Sequence, residues 1–436
     1  MRDFNFRKHG DKLLFALALV VLALVVFRSF DKKITQAAAP RIVFTQWWQN
    51  DLGEDTLKAL IEEFESLHSG IKIVLNEKSY DDLRLELFNY LSNPAGSDKT
   101  AVSPGDVLAL DPLWVPELLK KGIVESENVP LLSFVNVLYY NVSILKEAGF
   151  SRPPKTRSEF LACARAIAGR EADPLGSAQG RAPDSAPVLA LGGNSFRGIY
   201  DDVYPWMWAA GAQLIKDGKP AVVSRPVVES LSFLESLHSE GLIEADAFSA
   251  DSKKKLENFV SGRAAFMIAS AGDISLVRER IGDDAFGVTS VPVPNYAGKS
   301  FFASTVWTIG IHSGSASKEQ ARLFADFIAG KASFLSDKAR AIPVTPVASP
   351  PVSGTPTGAE EPSVPHGRGF PLDPFYSKVW DIAIAGEAAQ DFSGLAGEQE
   401  LEEIFREELS ALFAGKSSAA GTAAAIQERW QAVLER

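Results

Sequence analysis

The chain has 436 residues, 46% hydrophobic and 23% charged, a globular balance that excludes disorder. Chains beyond about 250–300 residues divide into domains, so more than one core is expected. A net charge of −11 argues against a nucleic-acid partner, which needs a basic face, and the lone Cys163 excludes an intrachain disulfide and a cysteine-based zinc site.

Arg2, Arg7, Lys8 and Lys12 precede an unbroken apolar run at residues 13–27, LLFALALVVLALVVF. A basic region before such a run is an export signal. The small-residue stretch Ala37, Ala38, Ala39 lies beyond Arg28, Lys32 and Lys33, far from the run for efficient cleavage. Residues 1–39 are therefore read as a signal or anchor segment. The favoured form is an uncleaved helix through residues 13–30 in the cytoplasmic membrane, with a cleaved signal peptide as the alternative. In both cases the remainder is exported to the outer, periplasmic face. That remainder holds 37 basic and 52 acidic residues, a net charge of −15.

The first folded stretch, residues 41–77, reads strand, loop, helix, strand. Ile42, Val43 and Phe44 form a β-branched and aromatic run that ends in the adjacent indoles Trp47 and Trp48. Leu57, Leu60, Ile61, Phe64 and Leu67 mark one face of a helix, stopped at Gly70, and residues 71–75 return as a strand. In a βαβ unit, ligands gather beyond the carboxyl ends of the strands, where the Trp pair falls. Neighbouring residues on an extended chain face opposite ways, so one of the two indoles can belong to the core.

A helix with Leu83, Leu87 and Leu91 follows, then a buried strand at 106–110 that ends in Asp111 and Pro112. Residues 134–141 form a strand that runs into a helix at 143–148. Thr156 and Glu159 make a capping box ahead of a helix that turns Phe160, Cys163 and Ile167 inward, which leaves Cys163 a buried, inert thiol. Residues 169–187 read as loop. A strand at 188–191 leads into Gly192, Gly193 and Asn194, and residues 204–211 form an aromatic-rich helix start. Further helices and strands follow, with a long strand at 302–311. Residues 343–374 contain nine prolines and read as surface loop, and the chain ends in helices. No repeat of 20–50 residues is present. Strands alternating with helices place the chain in the α/β class with mostly parallel sheets.

Five stretches, in order, resemble the bacterial extracellular solute-binding proteins of family 1, the maltose-binding-protein group. They are the opener at 42–75; Asp106 to Asp111 with Trp114 and Gly122; Val137, Tyr139, Tyr140, Asn141, Leu145 and Glu147 followed by Thr156, Glu159 and Phe160; Phe259, Gly262, Arg263, Ala264, Ala265 and Phe266; and Arg340 to Val344 with the last helices. The resemblance implies the two-lobed type II periplasmic-binding-protein fold, its lobes joined by crossing hinge strands. Lobe 1 would take 40–134 and 307–335, lobe 2 would take 135–306 and 336–436, and a solute would sit in the cleft between them. Family members often carry a Trp after the strand at 264–269. Here the loop reads Ser270, Ala271, Gly272, Asp273, so one stacking aromatic is absent.

Sugars present apolar C–H faces and a rim of hydroxyls, so a sugar site needs aromatic faces and polar groups that donate and accept. Loop-adjacent candidates are Trp47, Trp48, Trp114, Tyr140, Tyr200, Trp206, Trp208 and Trp307, beside Asn50, Asp111, Asn194, Arg197 and Asp202. Trp47, Asp111, Tyr140 and Trp206 lead. Core packing is the competing reading for each aromatic, since Trp and Tyr are highly buried on average. Trp206 and Trp208 point apart on a helix start, so one of them is expected in the core. Asp111 can instead cap a strand end.

Catalysis has little support. The five histidines lack ligand spacing, no P-loop occurs, and the run at 191–198 lacks the GxGxxG phosphate fingerprint. Asp201 and Asp202 are adjacent in sequence and diverge, whereas glycosidase carboxylates face each other across a bond at roughly 5–9 Å. No cofactor or metal is implied. The resulting expectation is a non-enzymatic binding protein that captures a small solute, with a carbohydrate as the leading class, and delivers it to the transmembrane subunits of an ABC-type permease. The alternatives are a membrane-tethered ligand sensor of the same fold and a carbohydrate-active enzyme.

Overall fold

The structure is a computed structural model that describes residues 40–92, 103–169, 188–244, 247–295, 301–339, 341–343, 373–389, 392, 394–395 and 397–436. The anchor expected at 13–30, the loop at 170–187 and most of the proline-rich stretch lie outside these residues. Among the described residues no helix is long and apolar enough to cross a membrane.

The strands are β1 (Arg41–Gln46), β2 (Lys72–Glu77), β3 (Val107–Leu110), β4 (Val129–Asn141), β5 (Leu189–Ala190), β6 (Ile215–Lys216), β7 (Lys219–Pro220), β8 (Phe266–Ser270), β9 (Phe286–Thr289), β10 (Phe301–Phe302), β11 (Ser304–Ile311), β12 (Ile342–Pro343) and β13 (Glu387–Ala388). The main sheet runs β2-β1-β3-β11-β4-β8-β5, with β9 and β12 also paired to β4. The opening β2-β1-β3 ladder is parallel, as is β5 on β8. Parallel order breaks at the strands that cross between lobes: β11 is antiparallel to both β3 and β4, and β4 is antiparallel to β8 and β9.

β4 is the axis of the molecule. Its first half pairs with β11, where Leu132 lies opposite Trp307, and its second half pairs with β8, where Tyr140 lies opposite Phe266. One continuous strand therefore belongs to both lobes. It starts five residues earlier than the expected 134–141 because Pro130, which donates no ladder hydrogen bond, disguises the pattern. The register shift between Trp307 and Thr308, opposite Pro130, accommodates it.

Two lobes follow from the packing. In the first, the Glu54–Leu67 helix buries Leu57, Leu60 and Phe64 against Phe44 of β1 and Phe324 of the Lys318–Gly330 helix. In the second, Phe160, Trp206 and Trp208 pack with the Glu398–Phe413 and Ala419–Leu434 helices. A further cluster around Tyr139, Phe259, Phe286 and Phe375 extends the second lobe. Cys163 is wholly buried there, and burial pushes its thiol up to about 12, as an inert thiol requires. The box at Thr156 forms: its hydroxyl accepts the Glu159 N–H at 3.2 Å, while the Glu159 carboxylate reaches back to the Lys155 N–H at 2.7 Å.

Trp430 ties the terminal helices into the second lobe. It is fully buried, edge-on to Phe392, and its Nε1 donates to the Leu401 carbonyl at 2.8 Å. Trp430→Ala is expected to cost about 3–5 kcal/mol, read as a lowered urea midpoint. A change within about 0.5 kcal/mol would mean the terminal helices are a peripheral appendage.

Candidate ligand cleft between the lobes

β1 ends at Gln46, whose side-chain oxygen accepts the Trp48 N–H and turns the chain into the short Gln49–Leu52 helix. The turn separates the two indoles. Trp47 faces a cavity of about 280 Å³, while Trp48 is wholly buried and stacks on Trp307 with centroids 4.8 Å apart and planes 7° apart. Trp307 also lines the cavity, as do Tyr80, Phe134 and Asp51 from the first lobe. Trp47 meets Tyr80 edge-on at 5.2 Å, and Phe134 leans on Trp307 at 4.8 Å.

The second lobe contributes Ser195, Phe196, Arg197, Asp201, Ser270 and Asp273. The glycine-rich run is what places the first three. A Cβ at Gly198 would lie 2.3 Å from the Gly192 carbonyl oxygen, and one at Gly193 would lie 2.7 Å from that of Ala247. These glycines serve close packing, not phosphate binding. Asp202 accepts the Gly192 N–H at 2.6 Å and pairs with the buried Lys255 at 2.6 Å. Asp201, its neighbour, turns the other way toward Arg197 and the cavity, as adjacent carboxylates must.

Arg197 closes the gap between lobes. Its Nη1 donates to Asp111 Oδ2 at 2.7 Å, and Nε and Nη2 donate to Asp201 at 3.2 and 3.1 Å. Tyr80 donates to the same Asp111 oxygen at 3.0 Å, and Asn136 of β4 donates to Asp201 at 2.8 Å. Desolvation opposes the Arg197 charge, but Asp201 and Asp111 outweigh it and hold the guanidinium ionised. The Arg84 guanidinium of the first lobe also lies over the Phe196 ring.

Of the sequence candidates, Trp47, Trp307 and Arg197 reach the cavity, and Asp111 sits behind it as the partner of Arg197. Trp48 backs Trp307. Trp206 and Trp208 are both wholly buried in the second core, because the short Tyr204–Ala209 helix is enclosed on every side. Tyr140 is half-buried beside the Val142–Glu147 helix, away from the cleft, and Asn194 is exposed, its backbone N–H donating to the Ala250 carbonyl. Asp51, Tyr80, Phe134 and Phe196 escaped the sequence reading. The one available signal was the glycine run at 192–198, which marks a tightly packed loop. A larger cavity of about 430 Å³ is lined by second-lobe residues such as Lys155, Thr289 and Ile382, so lobe motion does not gate it.

A cavity walled by two lobes that share crossing strands defines a cleft-type solute receptor. The chain belongs to the bacterial extracellular solute-binding protein family, whose pattern it matches over residues 50–333. Solved structures share the fold. The GacH receptor of Streptomyces glaucescens, studied unliganded and with acarbose, is 16% identical and covers 91% of this chain and 99% of its own, with a TM-score of 0.64. A maltose-bound MalE3 from Thermotoga maritima is 17% identical, with 91% and 100% coverage and a TM-score of 0.65. An ABC transporter solute-binding protein from Thermotoga lettingae, bound to α-D-tagatose, is 17% identical with the same coverage and a TM-score of 0.67.

Arg197→Met strands the buried Asp111 and is expected to cost about 3–5 kcal/mol, measured by thermal unfolding. Arg197→Met with Asp111→Leu should recover much of that loss. Burial raises Asp51 to about 7, with repulsion from Asp273 adding to it, and raises Asp273 to about 6. Each carboxyl thus binds a proton more tightly folded than unfolded, so ligand-free stability falls as pH rises from about 4 to about 7. The melting temperature should drop across that window, and Asp51→Asn should flatten the slope.

Proposed function

We propose that the chain captures a carbohydrate between its lobes and delivers it to an ABC-type permease at the outer face of the cytoplasmic membrane. The observation that carries this is the inter-lobe cavity itself. It is lined by the rings of Trp47, Trp307, Phe134 and Tyr80, suited to sugar C–H groups, and by the carboxylates of Asp51, Asp81, Asp201 and Asp273, suited to hydroxyls. The fold neighbours bound to acarbose, maltose and tagatose support the ligand class. Residues 13–30 would tether the receptor beside its permease.

In this reading Trp47 and Trp307 stack on the sugar. Asp111 acts through Arg197. Lobe 1 takes 40–134 and 307–335, and lobe 2 takes 135–306 and 336–436; the separate cores support the division, with Ala339 and Ala341 still packed in the first. The role we infer is non-catalytic: the adjacent pair is spent, Asp201 on Arg197 and Asp202 on Lys255, and the family is one of binding proteins.

Titration calorimetry against a panel of mono- to tetrasaccharides, with tryptophan fluorescence as the closure readout, tests the proposal. A bound saccharide should quench or shift the indole emission, and Trp47→Ala should weaken it by about tenfold or more. No response to any saccharide would overturn the assignment.

A further inference from the structure

The cavity wall has an uneven charge. Four carboxylates line it, Asp51, Asp81, Asp201 and Asp273, against one guanidinium, Arg197. That guanidinium is already bound to Asp111 and Asp201, and both Asp201 oxygens are taken up by Arg197 and Asn136. Among the described residues Asp51 from the first lobe and Asp273 from the second have no ion pair, although Asp273 takes a backbone hydrogen bond from Ser270, and Asp81 at the exposed rim is drawn by Arg84.

These two groups are built in place. Asp51 rides on the Gln49–Leu52 helix, fixed by the Gln46 contact to Trp48 and by the Asp51 and Leu52 N–H groups on the Trp48 carbonyl. Its Oδ1 lies over Gly272, 3.3 Å from where a Cβ would stand, so a side chain at 272 would crowd it. Asp273 ends the Ala271–Asp273 turn, which Ser270 caps by accepting the Gly272 N–H and which Tyr139 anchors by donating to the Ser270 carbonyl at 2.6 Å. Among the described residues the Asp51 carboxylate accepts no hydrogen bond and has no basic partner. It is nevertheless enclosed deeply enough that loss of water is the largest influence on it, ahead of repulsion by Asp273. Lys255, whose charge acts on Asp273, is held by Asp202 and the Ile268 carbonyl.

Once ionised, two carboxylates carried by opposite lobes oppose closure; a proton on one relieves the repulsion, and a cation between them relieves it with both ionised. A neutral sugar hydroxyl donates one hydrogen bond and leaves the repulsion in place. An ammonium donates up to three and cancels a charge. We propose that the cleft selects an amine-bearing sugar whose protonated amino group lies between Asp51 and Asp273. This rests on the carbohydrate reading above and narrows it.

The test uses the full chain in mild detergent, with mono- to tetrasaccharides each offered in three matched forms: free amine, N-acetylated amine and hydroxyl at the same carbon. The amine form of at least one sugar should bind about tenfold or more tighter than its two counterparts. Asp51→Asn and Asp273→Asn, first shown to be folded by their melting curves, should each bring the three forms to within about threefold of one another. If a hydroxyl or N-acetyl form binds as tightly as the amine, the proposal is overturned and the carbohydrate reading stands. Equal weakening of all three forms in both variants would also overturn it, making the carboxylates hydroxyl acceptors. Tight binding of Ca2+, Mn2+ or Zn2+ alone, lost in both variants, would replace the amine with a bridging metal. If no form of any sugar binds, both readings fall.

Discussion

The Arg197 guanidinium is 6% exposed, and the two carboxylates that compensate it come from opposite lobes, Asp111 at the end of β3 and Asp201 on the Gly198–Asp202 helix. A guanidinium stripped of water is tolerated only when fully paired, and removing one partner leaves a buried charge. Much of the cleft is arranged to meet that condition. Gly192, Gly193 and Gly198 let the loop pack close enough to deliver Arg197. The Asp202–Lys255 pair pins the loop from behind. Tyr80 and Asn136 supply the remaining hydrogen bonds to the two carboxylates. The aromatic wall then forms around this knot, with Tyr80 edge-on to Trp47.

Attraction at Arg197 and repulsion between Asp51 and Asp273 act across the same gap. One draws the lobes together and the other resists. Asp111 and Asp273 follow β3 and β8, which pair with the crossing strands β11 and β4, so a change in the angle between lobes is felt at both. A solute can shift such an equilibrium only by the difference in its affinity for the two arrangements. Such a difference can come from groups of separate lobes that one molecule touches together when the lobes meet, and the cavity wall holds groups from both.

Much of the fold was legible in the chain because it is written in local periodicity. The face formed by Leu57, Leu60 and Phe64, the cap at Thr156 and the glycine stop after the Phe259 helix each depend on residues a few positions apart. The first half of β4 was hidden because Pro130 breaks the pattern, and only pairing with β11 gives those residues a ladder. Trp206 and Trp208 show the opposite limit. A helix start implies two faces, but a helix enclosed on all sides buries both.

The site was legible only in part. The sequence alone determined that an indole pair ends the first strand, that neighbouring side chains there must part, and that the turn at 270–273 carries an aspartate where an aromatic is often found. Which indole meets the cavity, that Trp307 lies against its neighbour 259 positions earlier in the chain, and that Asp51 and Asp273 line one cavity were decided by tertiary structure. The physical reason is range. Helical faces and caps are set by hydrogen bonds and contacts between residues three or four apart. A cleft is set by where two lobes bring unrelated segments together, and no spacing along the chain encodes that distance.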